Sequence, residues 1–388
     1  MPMYDAEDIV ELKNKTKRKR RLVRLIVILF LAAAAVGLYL THELWLPKLQ
    51  GVGEKAITIV NDGRLAEGNF PIEVSSGGDY QLEVSDGKLG LLSDSYILFY
   101  NEEGGLIKKR QHAYTNAVLS MSGGRALIYE SGGNEFSVES PENVLYKHKL
   151  DKNIMFARLS SEGLTAVVTT SVNYDCEIIV YDKKGEVVYS RKCIERVNDV
   201  AFKDHSRGCV ISYIYAENGS LATSVQEITF TEKGEKWSSP GLDTLGLEVF
   251  SCDSGAFVLG IDACGYVDES GQISSYYKYE GDFAGGDSSG GRSSVIINND
   301  DRRKYEAAIF PGGGVEPIII GFAHPLLDTV VSDGLAYIMS KDTILAYDFD
   351  GNLRSTVEIN DSYTGFVRSE DHIFLKGYGR IDRIDYDS

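Results

Sequence analysis

The chain has 388 residues, with 57 Asp and Glu against 40 Lys and Arg, 43% apolar residues and five cysteines. It is too apolar to be disordered and too long for one small domain. Residues 1–42 carry eight basic and four acidic side chains, leaving 32 basic and 53 acidic on residues 43–388; that net of −21 would repel a polyanion and argues against nucleic acid as a partner.

In chain order, Lys13, Lys15, Lys17, Arg18, Lys19, Arg20, Arg21 and Arg24 come first, and residues 25–42 then run without a formal charge. Eighteen residues make about 27 Å of helix, close to the ~30 Å hydrocarbon core, and Leu22 and Val23 lengthen the run if Arg24 snorkels. Tyr39 and Trp45 suit the far interface, and Pro47 ends the helix. Basic residues stay on the cytoplasmic side, so the expectation is a single-pass cell-membrane protein with its N-terminus inside and the rest extracytoplasmic. A cleaved signal peptide is the alternative, because Ala33, Ala34 and Ala35 could form a cleavage site, although the apolar run continues past them.

From Ala56 onward, short β-branched and aromatic runs are broken by Gly, Asn, Asp and Ser every 8 to 12 residues, the pattern of an all-β chain. One signature recurs: a strand end with Gly four positions later, then a second strand. It spans Tyr100 to Gly104, Tyr181 to Gly185, Phe230 to Gly234, Val267 to Gly271, Phe310 to Gly314 and Tyr347 to Gly351, and a seventh copy has Glu142 in place of Gly. Asp or Asn caps such a hairpin and Gly takes its φ > 0 position. The anchors are 37 to 49 residues apart, the spacing of a four-stranded propeller blade.

Three-strand sets fall near 80–100, 117–138, 154–181, 197–230, 247–267, 293–310, 327–347 and 363–386, which predicts an eight-bladed β-propeller, or seven blades if the set at 293–310 is an insertion. Tyr386 aligns with Tyr347, so the last set lacks an outer strand, and residues 69–75 are the expected donor. Residues 57–60 stay unassigned. The predicted organisation is a cytoplasmic basic tail (1–21), a transmembrane helix (22–46), a linker (47–56) and an extracytoplasmic propeller (57–388).

These residues resemble the eight-bladed quinoprotein-like (PQQ-like, WD40-like) propellers, including the propeller lipoprotein of outer-membrane barrel assembly. With the basic tail and one span, the chain also resembles uncharacterised membrane-anchored propeller proteins of Gram-positive bacteria. The Trp-rich repeats and adjacent-cysteine pair of quinoprotein dehydrogenases are missing, as is the His-Trp-Asp pattern of WD repeats, so the resemblance implies no cofactor.

No residue pattern announces catalysis. His42, His112, His148, His205, His324 and His372 have no partner at zinc-ligand spacing, and no metal site is expected. Residues 348–352 open like a calcium loop but Ile359 replaces the bidentate Glu, which favours a repeat turn. Residues 281–294 are Gly- and Ser-rich without the Lys-Ser/Thr of a P-loop, and are expected to be a flexible blade-to-blade loop that could bind a partner.

Five cysteines leave at least one unpaired, and an extracytoplasmic location permits oxidation. The expected disulfide joins Cys176 to Cys193 across the turn at Gly185: with Asp182 facing Glu186, Cys193 falls one residue out of register, a gap a bulge could absorb. Buried free thiols are the alternative. The function expected is an anchored binding or scaffold protein of the bacterial cell envelope, its partners envelope proteins or wall polymers. The alternative is a propeller hydrolase or lyase acting on an extracellular glycan or lactone, which needs carboxylates from several blades to converge at the channel.

Overall fold

The computed structural model describes residues 64–65, 69–74 and 80–385, apart from 204, 206, 218, 232–234 and 370–371. The basic tail, the expected span, the linker, residues 57–60 and Tyr386 lie outside the described residues. Seven four-stranded antiparallel sheets follow one another along the chain: blades 1 to 7, at 81–111, 117–149, 154–193, 196–238, 246–278, 282–322 and 326–358. Blade 8 combines three strands at 363–385 with Ile72–Glu73 and Arg64–Leu65, both paired with its last strand, Arg380–Asp385. The ring therefore has eight blades and closes through the expected donor segment.

The innermost strands are Gln81–Ser85, Ala117–Ser122, Ile154–Leu159, Arg196–Phe202, Gly246–Cys252, Asp282–Ser289, Leu326–Ser332 and Tyr363–Arg368. Each contacts its neighbours, and the first meets the last. Eight hydrophobic clusters form the core, each shared by two successive blades. In blade 2, for example, Ala126 and Ile128 face blade 1 while Leu127 and Tyr129 face blade 3. Both faces of the middle strands are thereby buried, which is why they read as unbroken apolar runs such as Gly255–Gly260.

The hairpin glycines serve as the repeat predicts: Gly104, Gly185, Gly271, Gly314 and Gly351 have φ between +74° and +85°. In blade 3, Asp182 Oδ1 accepts the backbone N–H groups of Lys184 and Glu186, and Gly185 N donates to Asp182 O. Asp268 and Asp348 cap their turns in the same way. Residues 348–352 are accordingly a capped turn, with Arg354 paired to Asp348. At the copy without Gly, Ser140 and Asn143 close the turn instead.

The Gly- and Ser-rich stretch differs from its expectation as a flexible loop. It is the innermost strand Asp282–Ser289, a Gly290–Gly291 turn and the start of the strand Arg292–Asn299. Gly286 reflects crowding, since a Cβ there would lie 2.7 Å from the buried Leu259 side chain, whereas Gly290 and Gly291 serve the turn at positive φ. The sixth set therefore begins at Asp282, and the seven-blade alternative falls.

Candidate functional site

The inward edge of each innermost strand has no sheet partner, so its N–H groups need acceptors. Side chains of the preceding blade supply several of them. Asp199 Oδ2 accepts from Val249 N at 2.9 Å, Asp287 Oδ2 from Val331 N at 2.7 Å and Asp328 Oδ2 from Phe366 N at 3.0 Å. Between blades 1 and 2 an amide does the same work: Gln81 accepts from Leu119 N and donates to Ala117 O. Asp328 meets Phe366 only because residue 365 is glycine, where a Cβ would lie 2.8 Å from Asp328 Oδ2.

Two further carboxyls, Glu83 of blade 1 and Glu248 of blade 5, share this channel with Arg158 of blade 3. Arg158 lies 2.9 Å from Asp199 and 4.0 Å from Glu248. Burial opposes its charge, but Asp199 and Glu248 outweigh burial and raise its pKa. Burial pushes Glu83 up to about 7, with the charge of Glu248 adding to it. Glu248 is likewise pushed up to about 7, by burial and then by Asp199. Burial also raises Asp199 and Asp287, and takes Asp328 to about 6. Glu248 is nonetheless 44% accessible along the channel, so solvent screens part of that push. The carboxyl of Glu83 has no hydrogen bond or ion pair to a described residue.

The cluster makes stability depend on pH. A native pKa raised from 4.5 to about 7 means that Glu83 and Glu248 favour the folded state fully below the unfolded value, and that this contribution is lost as pH rises through 7. After discounting for screening, we expect Glu83→Gln to stabilise the chain by about 1–2 kcal/mol at pH 8 and by little at pH 4. Urea midpoints at the two pH values check this; an equal gain at both would remove the linkage.

Cys176 and Cys193 are brought together, directly opposite in blade 3, and in this structure both are buried free thiols. The histidines in the described residues stay apart. His112 Nε2 meets Ser93 O, His148 stacks on Tyr181 with Nε2 at Gly185 O, and His205 is exposed beside Glu162. Among the described residues, no group of three or more His, Cys, Asp or Glu is placed to hold a metal ion. The channel carboxyls were missed in the sequence; Asp199, Glu248 and Asp328 each stand just past the bulge of an innermost strand, a regularity that only the strand register reveals.

A model described as a family of unknown function (DUF5711) matches residues 70–240, from the closing segment through blade 4. No curated protein matches the chain. Among solved structures, the chain is similar to the computationally designed Ika8 protein, at 13% identity over 81% of this chain and 98% of that one, with a TM-score of 0.61. It is also similar to BamB from Moraxella catarrhalis (11% identity, 83% and 100% covered, TM-score 0.55) and to Sqt1 from Saccharomyces cerevisiae (8%, 84% and 99%, TM-score 0.58). At these identities the likeness is one of fold: this chain is an eight-bladed β-propeller with BamB-like and WD40-like structural neighbours.

Proposed function

We propose that the chain is a membrane-anchored binding or scaffold protein of the bacterial cell envelope, its propeller held outside the membrane by the span read at 22–46. The observation that carries this reading is a rim feature. At the start of their outer strands, three successive blades expose adjacent aliphatic residues: Leu106 and Ile107, Val144 and Leu145, Val187 and Val188. Repeated apolar exposure of this kind suits docking to another protein. The channel supports the reading from the other side, because Asp199, Asp287 and Asp328 are engaged in joining blades. The BamB-like fold fits a scaffold role by analogy alone.

Topology is tested by thiol labelling in intact cells. A cysteine at Val172, which is 93% exposed, should react with a membrane-impermeant reagent, and one at Asn14 should not. Reversed labelling would reject the orientation. Binding is tested with photoreactive residues at Leu106, Val144 and Val187, which should capture one common envelope protein that a probe at Val172 does not.

A second reading, a hydrolase or lyase on a glycan or lactone, is favoured by one observation. Glu83 and Glu248 are held near neutral pKa in the channel, and Glu83 makes no hydrogen bond or ion pair to a described residue. Turnover of such a substrate by the purified chain, abolished by Glu83→Gln, would replace the scaffold reading.

A further inference from the structure

The turn at Gly185 is followed by a register shift between Val180 and Tyr181, with Tyr181 opposite Val187 but Val180 opposite Tyr189. The extra residue, Val188, moves every later pair by one, so Cys176 comes to lie opposite Cys193. Residues directly opposite in an antiparallel ladder are about 4.5–5.5 Å apart at Cα, inside the ~4.4–6.8 Å span of disulfides. Both side chains point to the same side of the sheet, into the cluster shared by blades 3 and 4, and both are buried. We propose that Cys176 and Cys193 are the redox-active pair of this chain and form a cross-strand disulfide.

The other cysteines offer no equal partner. Cys209 shares the cluster but belongs to the second strand of blade 4. In blade 5, Cys252 is opposite Gly255, and Cys264 is opposite Leu259 and Tyr277. As thiols, Cys176 Sγ donates to Glu195 O at 3.7 Å and Cys193 Sγ to Arg191 O at 3.9 Å, and the interaction between the two side chains holds Cys176 below the ordinary thiol value and pushes Cys193 above it.

The oxidant is a small-molecule or enzyme disulfide of the cell exterior. The Cys176 thiolate attacks one of its sulfurs, forming a mixed disulfide and releasing one thiolate, which takes a proton. Cys193 then gives up its proton and attacks Cys176 Sγ, breaking the mixed disulfide and expelling the second thiol. Two protein thiols are oxidised by two electrons and one disulfide is reduced to two thiols. Both sulfurs are buried in the finished ring, so the exchange belongs to folding, before blade 4 packs onto blade 3. The supply of oxidant rests on the extracytoplasmic reading above.

The test counts thiols on the full chain under denaturing conditions without reductant. One sample is isolated directly from cells, and another is reduced, unfolded and refolded in a buffer of reduced and oxidised glutathione. Both should show three free thiols, with a peptide linking Cys176 to Cys193. Cys176→Ser should show four, as expected if its partner has no second choice. Five thiols after refolding, or a bridge between other cysteines, would overturn the proposal. Three after refolding but five from cells would uphold the pairing and overturn the extracytoplasmic reading.

Discussion

A chain ending at Gly379 is expected to lose cooperative folding altogether. The strand it lacks, Arg380–Asp385, pairs with His372–Gly377 on one side and with Ile72–Glu73 and Arg64–Leu65 on the other. Ile381 and Ile384 are fully buried, in the clusters toward blades 1 and 7 respectively. Asp382 accepts from the Tyr363 hydroxyl at 2.8 Å and from Arg380, and Arg383 donates to Glu102 O in blade 1. Removing a buried Ile side chain costs about 2–5 kcal/mol. Two are lost here, and Phe70 and Ile72 lose their seat as well, so the sum reaches about 5 kcal/mol or more, comparable to the whole stability of many domains. Thermal melts of the truncated and full-length chains decide the matter. An unchanged melting temperature would mean that the ring does not depend on this closure.

Asp199→Ala is the point substitution expected to cost most in the channel, about 3 kcal/mol. Asp199 is 1% exposed, and its loss leaves the Val249 N–H without its acceptor and Arg158 with only Glu248, at 4.0 Å. Arg158 is 34% accessible, which holds the cost to the lower end of the range for a broken buried pair. Asp199→Asn keeps an oxygen for Val249 and should cost only about 1–2 kcal/mol. Because burial raises the Asp199 pKa despite Arg158, the pair is expensive to maintain, and Arg158→Met should make Asp199→Ala milder by about 1–2 kcal/mol. Denaturant titrations of the four members of that cycle supply the test. Additive losses would show that the two residues act independently.

The ring was legible in the sequence because its turns carry strong local chemistry. A residue that must adopt positive φ is usually glycine, and Asp182, Asp268 and Asp348 cap the same turns, so period and blade count could both be read. Seven of the innermost strands were legible as the starts of their sets, and the exception has one edge on the channel and little apolar content. Asp282–Ser289 holds a single large apolar residue, Phe283, and its close-packing glycines imitate a linker. The channel cluster was invisible for another reason. Glu83, Arg158, Asp199, Glu248, Asp287 and Asp328 come from six blades, and only closure of the ring places them together. Cys176 and Cys193 fall between these cases: they were singled out as a pair, while the residue that aligns them, Val188, was left open as a bulge.

The core's division into eight shared clusters has a kinetic consequence. Seven of them join residues of successive blades, so their loop-closure cost is small and each blade can form on the one before it. The eighth joins blade 8 to blade 1, where the Tyr80 hydroxyl donates to Gly377 O across 297 positions of sequence. As the chain emerges from synthesis, blade 1 must keep one hydrophobic face uncovered until the final residues arrive. That face, with Leu82, Leu89, Leu91 and Tyr100, is where a folding helper would bind and where premature release would lead to aggregation.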